Sequence, residues 1–249
     1  MKEEILVVFN GSSHPQAEQA YSNIEGKIQL KYPTMQVSRA YTSKVSRERL
    51  LKQNIQVNSV EGALLKMAAD EVDHILVLPC MVFSNSSCLE MMADFMIHGE
   101  KFKAGISLFR VMLDLTADYE IFANAFFAAV MPPERTAKDA VVLIAHSPSE
   151  QFKVLGMVLK QRDNNTFIST LDELPNMSTL CDELKQAKIK KVYLVPLMMA
   201  AGIHVHRDMA KTTCQSIEAA DIECIPIAKG LGEYDRIAQL MANHIIADR

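Results

Sequence analysis

Short apolar runs alternate along the chain with longer stretches in which apolar residues recur at helical spacing. The runs predict eight β-strands, at 5–9, 36–41, 74–81, 104–112, 140–145, 166–171, 191–198 and 223–228. Several are continuous runs of Val, Ile and Leu, which is typical of strands buried on both faces of a parallel sheet. Between them, Val60, Leu64 and Met67 share one helical face, as do Ile237 and Met241. The alternation of strands and helices predicts a doubly wound α/β fold.

The order of these elements occurs twice. The run Ile-Leu-Val-Leu-Pro at 75–79 is matched by Val-Tyr-Leu-Val-Pro at 192–196, and the prolines at 79 and 196 are 117 residues apart. Asp118 and Asp235, each at a predicted helix start, have the same separation. We therefore predict two α/β halves of like topology, 1–132 and 133–249, divided at a double proline that ends a helix.

Charge and composition exclude several classes of function. The 249 residues carry 26 Lys and Arg against 30 Asp and Glu, so the chain lacks the basic character of nucleic-acid-binding proteins. No apolar run approaches the roughly 20 residues of a membrane span, and the first residues show no secretory signal. Five cysteines, an odd number without C-x-x-C spacing, predict buried reduced thiols. We expect a cytoplasmic protein that binds neither nucleic acid nor membrane.

Histidines follow two of the predicted strands in the second half. Ligands of open α/β sheets bind beyond the carboxyl ends of the strands. Here the corresponding loops are 10–14, 80–90, 145–150 and 198–208. His146 lies in the third loop, and His204 and His206 lie in the fourth. Neutral imidazole binds divalent metals and accepts protons near neutral pH. A histidine from each loop could therefore hold one metal, with coordination positions left open, in a cleft between the halves, although spacing alone does not favour this over structural histidines. Hydrogen-bonded structural histidines are the alternative.

The remaining motifs offer less chemistry. His14 precedes a proline and suits a helix start, and we interpret His74, His98 and His244 as structural. The loop after the first strand resembles a phosphate-binding turn, but the chain contains neither G-x-x-x-x-G-K-[ST] nor G-x-G-x-x-G. Ser147 is not in a G-x-S-x-G elbow. Nucleotide binding and serine hydrolase chemistry are therefore unsupported.

Three segments carry a resemblance to a known family. They are Arg-Ala-Tyr-Thr-Ser at 39–43, Val-Pro-Leu-Met at 195–198 continuing to Ala-Gly-Ile-His at 201–204, and Gly-Leu-Gly-Glu at 230–233. In this order, and with similar gaps over essentially the whole chain, they resemble the anaerobic sirohydrochlorin cobaltochelatases, class II chelatases of cobalamin biosynthesis. The resemblance implies two flavodoxin-like (Rossmann-like), three-layer halves with parallel sheets and a tetrapyrrole cleft between them.

The resemblance also implies roles for particular residues. It assigns metal binding and catalysis to His146 and His204, one imidazole carrying the metal and the other accepting pyrrole protons. Asp172 matches the acidic partner of the family, with Glu173 beside it as a substitute, and His206 is a further candidate. The implied enzyme is a lyase whose substrates are sirohydrochlorin, or a related tetrapyrrole, and a divalent metal. Co²⁺ is expected, Ni²⁺ or Fe²⁺ are alternatives, and no organic cofactor is implied.

Several positions depart from the family pattern. The Gly-His-Gly of the family is Ala-His-Ser at 145–147, and Ile203 replaces a residue that is often acidic. The stretch 81–87 has no carboxylate, and the nearest, Glu90, is the last candidate for the site. Fewer carboxylates attract a cation less and leave fewer proton acceptors. A non-catalytic tetrapyrrole or metal carrier therefore stays open as the alternative, with an unrelated two-lobed binding protein as the third, and a homo-oligomeric state is also open.

Overall fold

The structure, a computed structural model, contains two parallel sheets of four strands each. It describes residues 1–84, 86–98, 102, 104–146, 149–171 and 177–245, with the backbone alone for 87, 92, 94, 96–98 and 204. In the first half the elements are β1 (Glu3–Phe9), α1 (Ala17–Lys31), β2 (Gln36–Tyr41), α2 (Lys44–Leu51), α3 (Val60–Ala69), β3 (His74–Pro79), α4 (Ser86–His98), β4 (Gly105–Leu108) and α5 (Thr116–Ala129). The strand order is β2-β1-β3-β4.

The second half repeats this order as β6-β5-β7-β8. Its elements are β5 (Ala140–Ala145), α6 (Glu150–Arg162), β6 (Thr166–Thr170), α7 (Met177–Gln186), β7 (Lys191–Pro196), a π-helix (His204–Thr213), α8 (Cys214–Glu218), β8 (Glu223–Pro226), a 3₁₀ turn (Leu231–Glu233) and α9 (Asp235–Asn243). All eight predicted strands are confirmed, as is the repeat. The predicted strands at 74–81, 104–112, 191–198 and 223–228 run past the observed strand ends. The apolar signal continues there because residues such as Met81, Val111 and Leu197 are buried beyond the last paired residues.

Both faces of each sheet are covered, and one apolar core lies between the two sheets. Along β1, Ile5, Val7 and Phe9 point into this shared core, while Leu6 and Val8 point to the opposite face under α3 and α4. The alternation follows from the two-residue period of a strand. Helices α1, α5, α6 and α9 fill the space between the sheets, and α7, the π-helix and α8 cover the outer face of the second sheet. This confirms the three-layer α/β arrangement.

The last helix of the chain packs against the first helix. The hydroxyl group of Tyr32 donates to the carbonyl of Ile245 at 2.7 Å, and the ammonium group of Lys31 donates to the carbonyl of Ala242 at 3.1 Å. These bonds fix the two halves relative to each other at the side remote from the loops considered below. Within the described ranges, no helix is both long enough and apolar enough to cross a bilayer.

The prediction that all cysteines are reduced thiols is wrong for one pair. Cys214 and Cys224 form a disulfide with their Cα atoms 5.4 Å apart. The helix-turn-strand connection from α8 to β8 brings together two positions that are ten residues apart, which no C-x-x-C spacing signals. Cys80, Cys88 and Cys181 are buried and form no disulfide with one another or with the other described cysteines, as expected. The cysteines therefore support a cytoplasmic location of the protein less strongly than the sequence suggested.

Asp118, in the first turn of α5, is expected to contribute to stability. Burial of its carboxylate raises the pKa, but hydrogen bonds from the N–H groups of Leu115 and Asp114 and from Arg110 outweigh burial and lower it. Replacing Asp118 by alanine removes these bonds and should lower the free energy of unfolding at pH 7 by about 1–2 kcal/mol, measured by urea titration. Because the folded-state pKa is lowered, this stabilisation is present above the ordinary aspartate pKa of about 3.9 and disappears as the pH falls through the folded value.

Asp235 provides the matched control, since it opens α9 at the equivalent point of the repeat. Its carboxylate is 75% exposed and pairs with Lys27 at 3.1 Å. Exposed ion pairs contribute about 0–1 kcal/mol, so replacing Asp235 by alanine should have a smaller effect. Equal losses of stability in the two variants would show that the buried hydrogen bonds of Asp118 contribute nothing beyond its charge.

Candidate active site

The carboxyl ends of β5, β6 and β7 lie side by side at one edge of the second sheet. The N–H of Leu171, just after β6, donates to the carbonyl of Ala145 at 3.0 Å, and the N–H of Leu197, just after β7, donates to Ile144 at 2.8 Å. His146 follows β5 directly and is exposed. Three neighbouring strands thus end close to His146. This residue directly follows β5, as the sequence predicted.

His204 is the first residue of the π-helix that follows β7. Its side chain lies outside the described part of the structure. The π-helix is anchored by Val205, Met209 and Thr213, which are buried at intervals of four residues. Residues two apart lie on different sides of a helix, so His204 and His206 do not share a face.

Asp172 and Glu173 lie outside the described residues. The backbone of Leu171 brings the chain to the edge of the sheet immediately before them. Within the described part of the chain, no three His, Cys, Asp or Glu side chains lie close enough together to hold a metal. The metal ligand set of His146, His204 and Asp172 therefore stays a prediction.

The Gly-Leu-Gly-Glu segment holds the loop that leads to His204. The N–H groups of Leu231 and Gly232 donate to the carbonyls of Met198 and Met199, both at 2.8 Å. The carboxylate of Glu233 accepts from the N–H of Gly230 at 2.7 Å. A Cβ atom on Gly230 would lie 2.6 Å from the Cα of Ala200, so only glycine fits there. This segment therefore supports the loop that leads to the candidate site.

The Arg-Ala-Tyr-Thr-Ser segment supports the loop after β1. Arg39 pairs with Glu18 at 2.6 Å and with Glu25 at 2.5 Å on α1, and its guanidinium lies 5.2 Å from the ring centre of Tyr21. Gly11, at the start of the loop, has a φ of 93° and lies against the ring of Tyr41. A Cβ at this position would lie 2.5 Å from that ring, so the left-handed, close-packed turn requires glycine.

This first-half loop reaches across to the second half. The side-chain amide of Gln16 donates to the carbonyl of Ala228 at 2.6 Å. Gly202 lies so close to Ser12 that an added Cβ would be 3.0 Å from the serine oxygen. The imidazole of His14 stacks on that of His206, with ring centres 4.2 Å apart and an interplanar angle of 20°. The loops after β1 and β7 therefore meet at one junction between the halves.

His14 was interpreted from sequence as a helix-start residue, and its backbone does precede α1: its carbonyl accepts from Ala17 at 3.0 Å. The sequence missed its contact with His206, because the two residues are 192 positions apart and no periodic signal links them. Burial of His206, together with the proximity of His14, lowers the pKa of His206, and a hydrogen bond to the Ala201 carbonyl opposes this shift. Burial and the neighbouring imidazole thus favour the neutral form of His206.

The first residues after β3 are apolar. Cys80, Met81 and Val82 are buried, and burial raises the pKa of the Cys80 thiol well above its ordinary value. The ring of Phe83 contacts that of Phe152 on α6 edge-on, with centres 6.4 Å apart. Residues 80–83 therefore pack at the junction between the halves, and none of these four carries a carboxylate or an imidazole. Glu90, the remaining candidate, is exposed on α4.

Comparison with known proteins finds relatives that match this chain over nearly its whole length. The chain is 28% identical to sirohydrochlorin cobaltochelatase CbiKC of Nitratidesulfovibrio vulgaris strain Hildenborough, covering 99% of this chain and 90% of that protein. It is 24% identical to the sirohydrochlorin cobaltochelatase of Salmonella typhimurium strain LT2, covering 98% and 96%. The sirohydrochlorin chelatase SirB of Bacillus subtilis subspecies spizizenii, solved in complex with cobalt, superposes with a TM-score of 0.65 at 15% identity, covering 98% and 94%, and so shares the fold.

A family model supplies the assignment. The model of the cobalt chelatases (CbiK) matches residues 3–248, which include both sheets and every candidate residue named above. The resemblance drawn from the three sequence segments is thereby confirmed. With the repeated β-strand order and the segments that support the loops around His146 and His204, the match shows that the chain belongs to the cobalt chelatase (CbiK) family.

Proposed function

We propose that this protein inserts a divalent metal, preferentially Co²⁺, into sirohydrochlorin as a step of cobalamin biosynthesis. The observation that carries the proposal is the position of His146 and the backbone of His204 beyond two hydrogen-bonded strands, β5 and β7, in a chain of the cobalt chelatase family. Both relatives described above are named sirohydrochlorin cobaltochelatases. The sheet edge is also where the fold class binds its ligands.

The reaction exchanges two pyrrole N–H protons for the metal, so the site must deliver an ion and accept protons. We assign metal binding to His146 and His204, with one imidazole delivering the ion to the macrocycle and the other serving as general base for the pyrrole protons. Asp172 or Glu173 would orient an imidazole and raise its basicity, the usual role of a carboxylate next to a ligating histidine. Holding metal and macrocycle together in the required orientation supplies much of the rate gain.

Imidazole ligands do not select one first-row ion strongly, since Co²⁺, Ni²⁺ and Fe²⁺ all accept nitrogen donors. We assign cobalt because the family and the two curated relatives are named for it. Ni²⁺ and Fe²⁺ are the alternatives to be compared in the assay. We propose the cytoplasm as the location. Three of the five cysteines are buried thiols outside any disulfide, which supports it, while the disulfide of Cys214 and Cys224 weighs against it.

The test is metal insertion followed by absorption under anaerobic conditions. Purified protein is mixed with sirohydrochlorin and Co²⁺, Ni²⁺ or Fe²⁺ in turn, and each rate is compared with the same mixture without protein. We expect acceleration, greatest with Co²⁺. A shift of the sirohydrochlorin spectrum on binding, with insertion no faster than in the blank, would contradict the proposal and favour the carrier function. The apolar stretch 80–83, which has no carboxylate, is the observation that favours the carrier as the competing function.

A further inference from the structure

Asp208 lies one helical turn after His204 on the π-helix. The buried residues Val205, Met209 and Thr213 form one row along this helix, and positions 204 and 208 lie in the row immediately beside it. Residues four apart share one face of a helix, with Cβ atoms about 5–6 Å apart. The sequence of the π-helix contains no other acidic residue, so Asp208 is the carboxylate that this element brings next to the position of His204.

The strand order separates the end of β6 from His204. In the order β6-β5-β7, β5 lies between the strand that precedes Asp172 and the strand that leads to His204. Neighbouring strands are about 4.7–4.9 Å apart, so β6 and β7 lie about 10 Å apart. The N–H of Leu171 is bonded to the carbonyl of Ala145, the residue before His146. An acidic residue after β6 is therefore better placed to serve His146, and the nearer source of a carboxylate for His204 is its own helix.

The surroundings of Asp208 suit a carboxylate that holds a neighbouring side chain. Its side chain is 27% exposed, and partial shielding from water strengthens a hydrogen bond. Arg207 donates from Nε to one carboxylate oxygen at 2.6 Å and from Nη2 to the other at 3.2 Å. An ionised carboxylate accepts at about four lone-pair sites, so this ion pair does not exhaust it. The hydroxyl group of Thr213 donates to the Asp208 carbonyl at 3.3 Å, which ties the backbone at this point to the buried row.

We propose that Asp208 is a positioning residue for His204, whose imidazole donates one ring N–H to the Asp208 carboxylate and presents its other nitrogen to the metal. The inference rests on the proposed function, because it takes His204 as a metal ligand. A carboxylate partner of this kind fixes the tautomer and the orientation of a ligating imidazole and raises its basicity. Each imidazole of the proposed site then has a carboxylate of its own, since the acidic residues after β6 serve His146.

The test compares Asp208→Ala and Asp208→Glu with wild type in the anaerobic insertion assay. Loss of a carboxylate that holds a ligating histidine costs about 10- to 100-fold in metal affinity or activity, so Asp208→Ala should lose insertion rate within this range. Asp208→Glu keeps the carboxylate and should recover most of the rate. The matched control is Asp182→Ala, which removes an exposed carboxylate from α7 and should insert cobalt at the wild-type rate. A wild-type rate in Asp208→Ala would overturn the inference.

The double variant His204→Ala with Asp208→Ala separates positioning from a role in folding. If Asp208 acts through His204, the double variant inserts cobalt as slowly as His204→Ala alone, because residues that act as one unit are not additive. A further loss of about 10-fold or more below His204→Ala would show that Asp208 acts independently of the imidazole, and would sink the idea. Asp208→Asn covers the outcome in which Asp208→Ala does not fold. Its amide donates as well as accepts and so no longer fixes one tautomer, and its rate should be about 10-fold below wild type; a wild-type rate would contradict the inference.

Titration with Co²⁺ alone distinguishes failure of this inference from failure of the proposed function. If wild type does not accelerate insertion, the proposed function fails, and the inference is tested by the Co²⁺ affinity. Asp208→Ala should then lower that affinity about 10- to 100-fold in the wild-type background and leave it unchanged in the His204→Ala background. If wild type inserts cobalt and Asp208→Ala equals it in both rate and affinity, the inference fails and the proposed function stands. Co²⁺ affinity that does not depend on His204 would overturn the inference in either case.

Discussion

Replacing His204 by alanine is expected to lower the rate of cobalt insertion into sirohydrochlorin about 10²- to 10⁴-fold, the range that a lost acid–base group costs. Loss of a metal ligand acts in the same direction, because the ion is then no longer held against the macrocycle. His204 begins the π-helix at the edge of the second sheet, and the Gly-Leu-Gly-Glu segment holds the preceding loop. The measurement is the initial rate at saturating Co²⁺, followed by the absorption change of the tetrapyrrole.

The same substitution at His146 should lower the insertion rate by a comparable factor. The insertion rate of the double variant should be at most a few-fold lower than that of the less active single variant. Residues that act as one unit are strongly non-additive. His74→Gln is the control, since His74 lies at the opposite edge of the first sheet, bonded to Glu3 at 3.1 Å and to Ser107 at 2.9 Å. Its insertion rate should equal that of wild type. Wild-type rates in His146→Ala and His204→Ala together would exclude both residues from the chemistry.

The strands could be predicted because this fold buries them on both faces. Every residue of β5 is buried, so the run Ala-Val-Val-Leu-Ile-Ala at 140–145 marks the strand without ambiguity. The carboxyl ends were less well predicted, since burial continues into the loops after β3 and β7 while strand pairing stops. An apolar run reports burial and carries no information about which hydrogen bonds the backbone makes.

The candidate site was predicted only as far as local sequence reaches. His146 could be placed because it follows a strand that the apolar pattern already located. The pairing of His14 with His206 depends on two loops from different halves and on a π-helix that places His206 beside the first-half loop. The disulfide between Cys214 and Cys224 likewise depends on the path of a short connection. Such contacts arise from tertiary packing, which leaves no periodic trace in the chain.

Gly230→Ala is expected to impair both folding and insertion, although Gly230 lies outside the chemistry. The added Cβ would lie 2.6–2.7 Å from backbone atoms of Ala200 and Ala201, and backbone cannot move aside as a flexible side chain can. Overpacking of this kind costs about 1–3 kcal/mol of unfolding free energy. The loop that must shift is the one leading to His204, and a displacement of about 1 Å costs on the order of 10²-fold in rate. Urea unfolding and the insertion assay measure the two effects.

Gly26→Ala is the matched control, because Gly26 lies inside α1 and a Cβ there meets no atom of the described residues within 4 Å. Alanine in place of an exposed helical glycine should raise the unfolding free energy by about 0.5–1 kcal/mol and leave the insertion rate unchanged. If Gly230→Ala is as active as Gly26→Ala, the loop tolerates displacement. The Gly-Leu-Gly-Glu segment would then matter for stability alone, and the position of His204 would have to be fixed by the π-helix through its buried anchors Val205 and Met209.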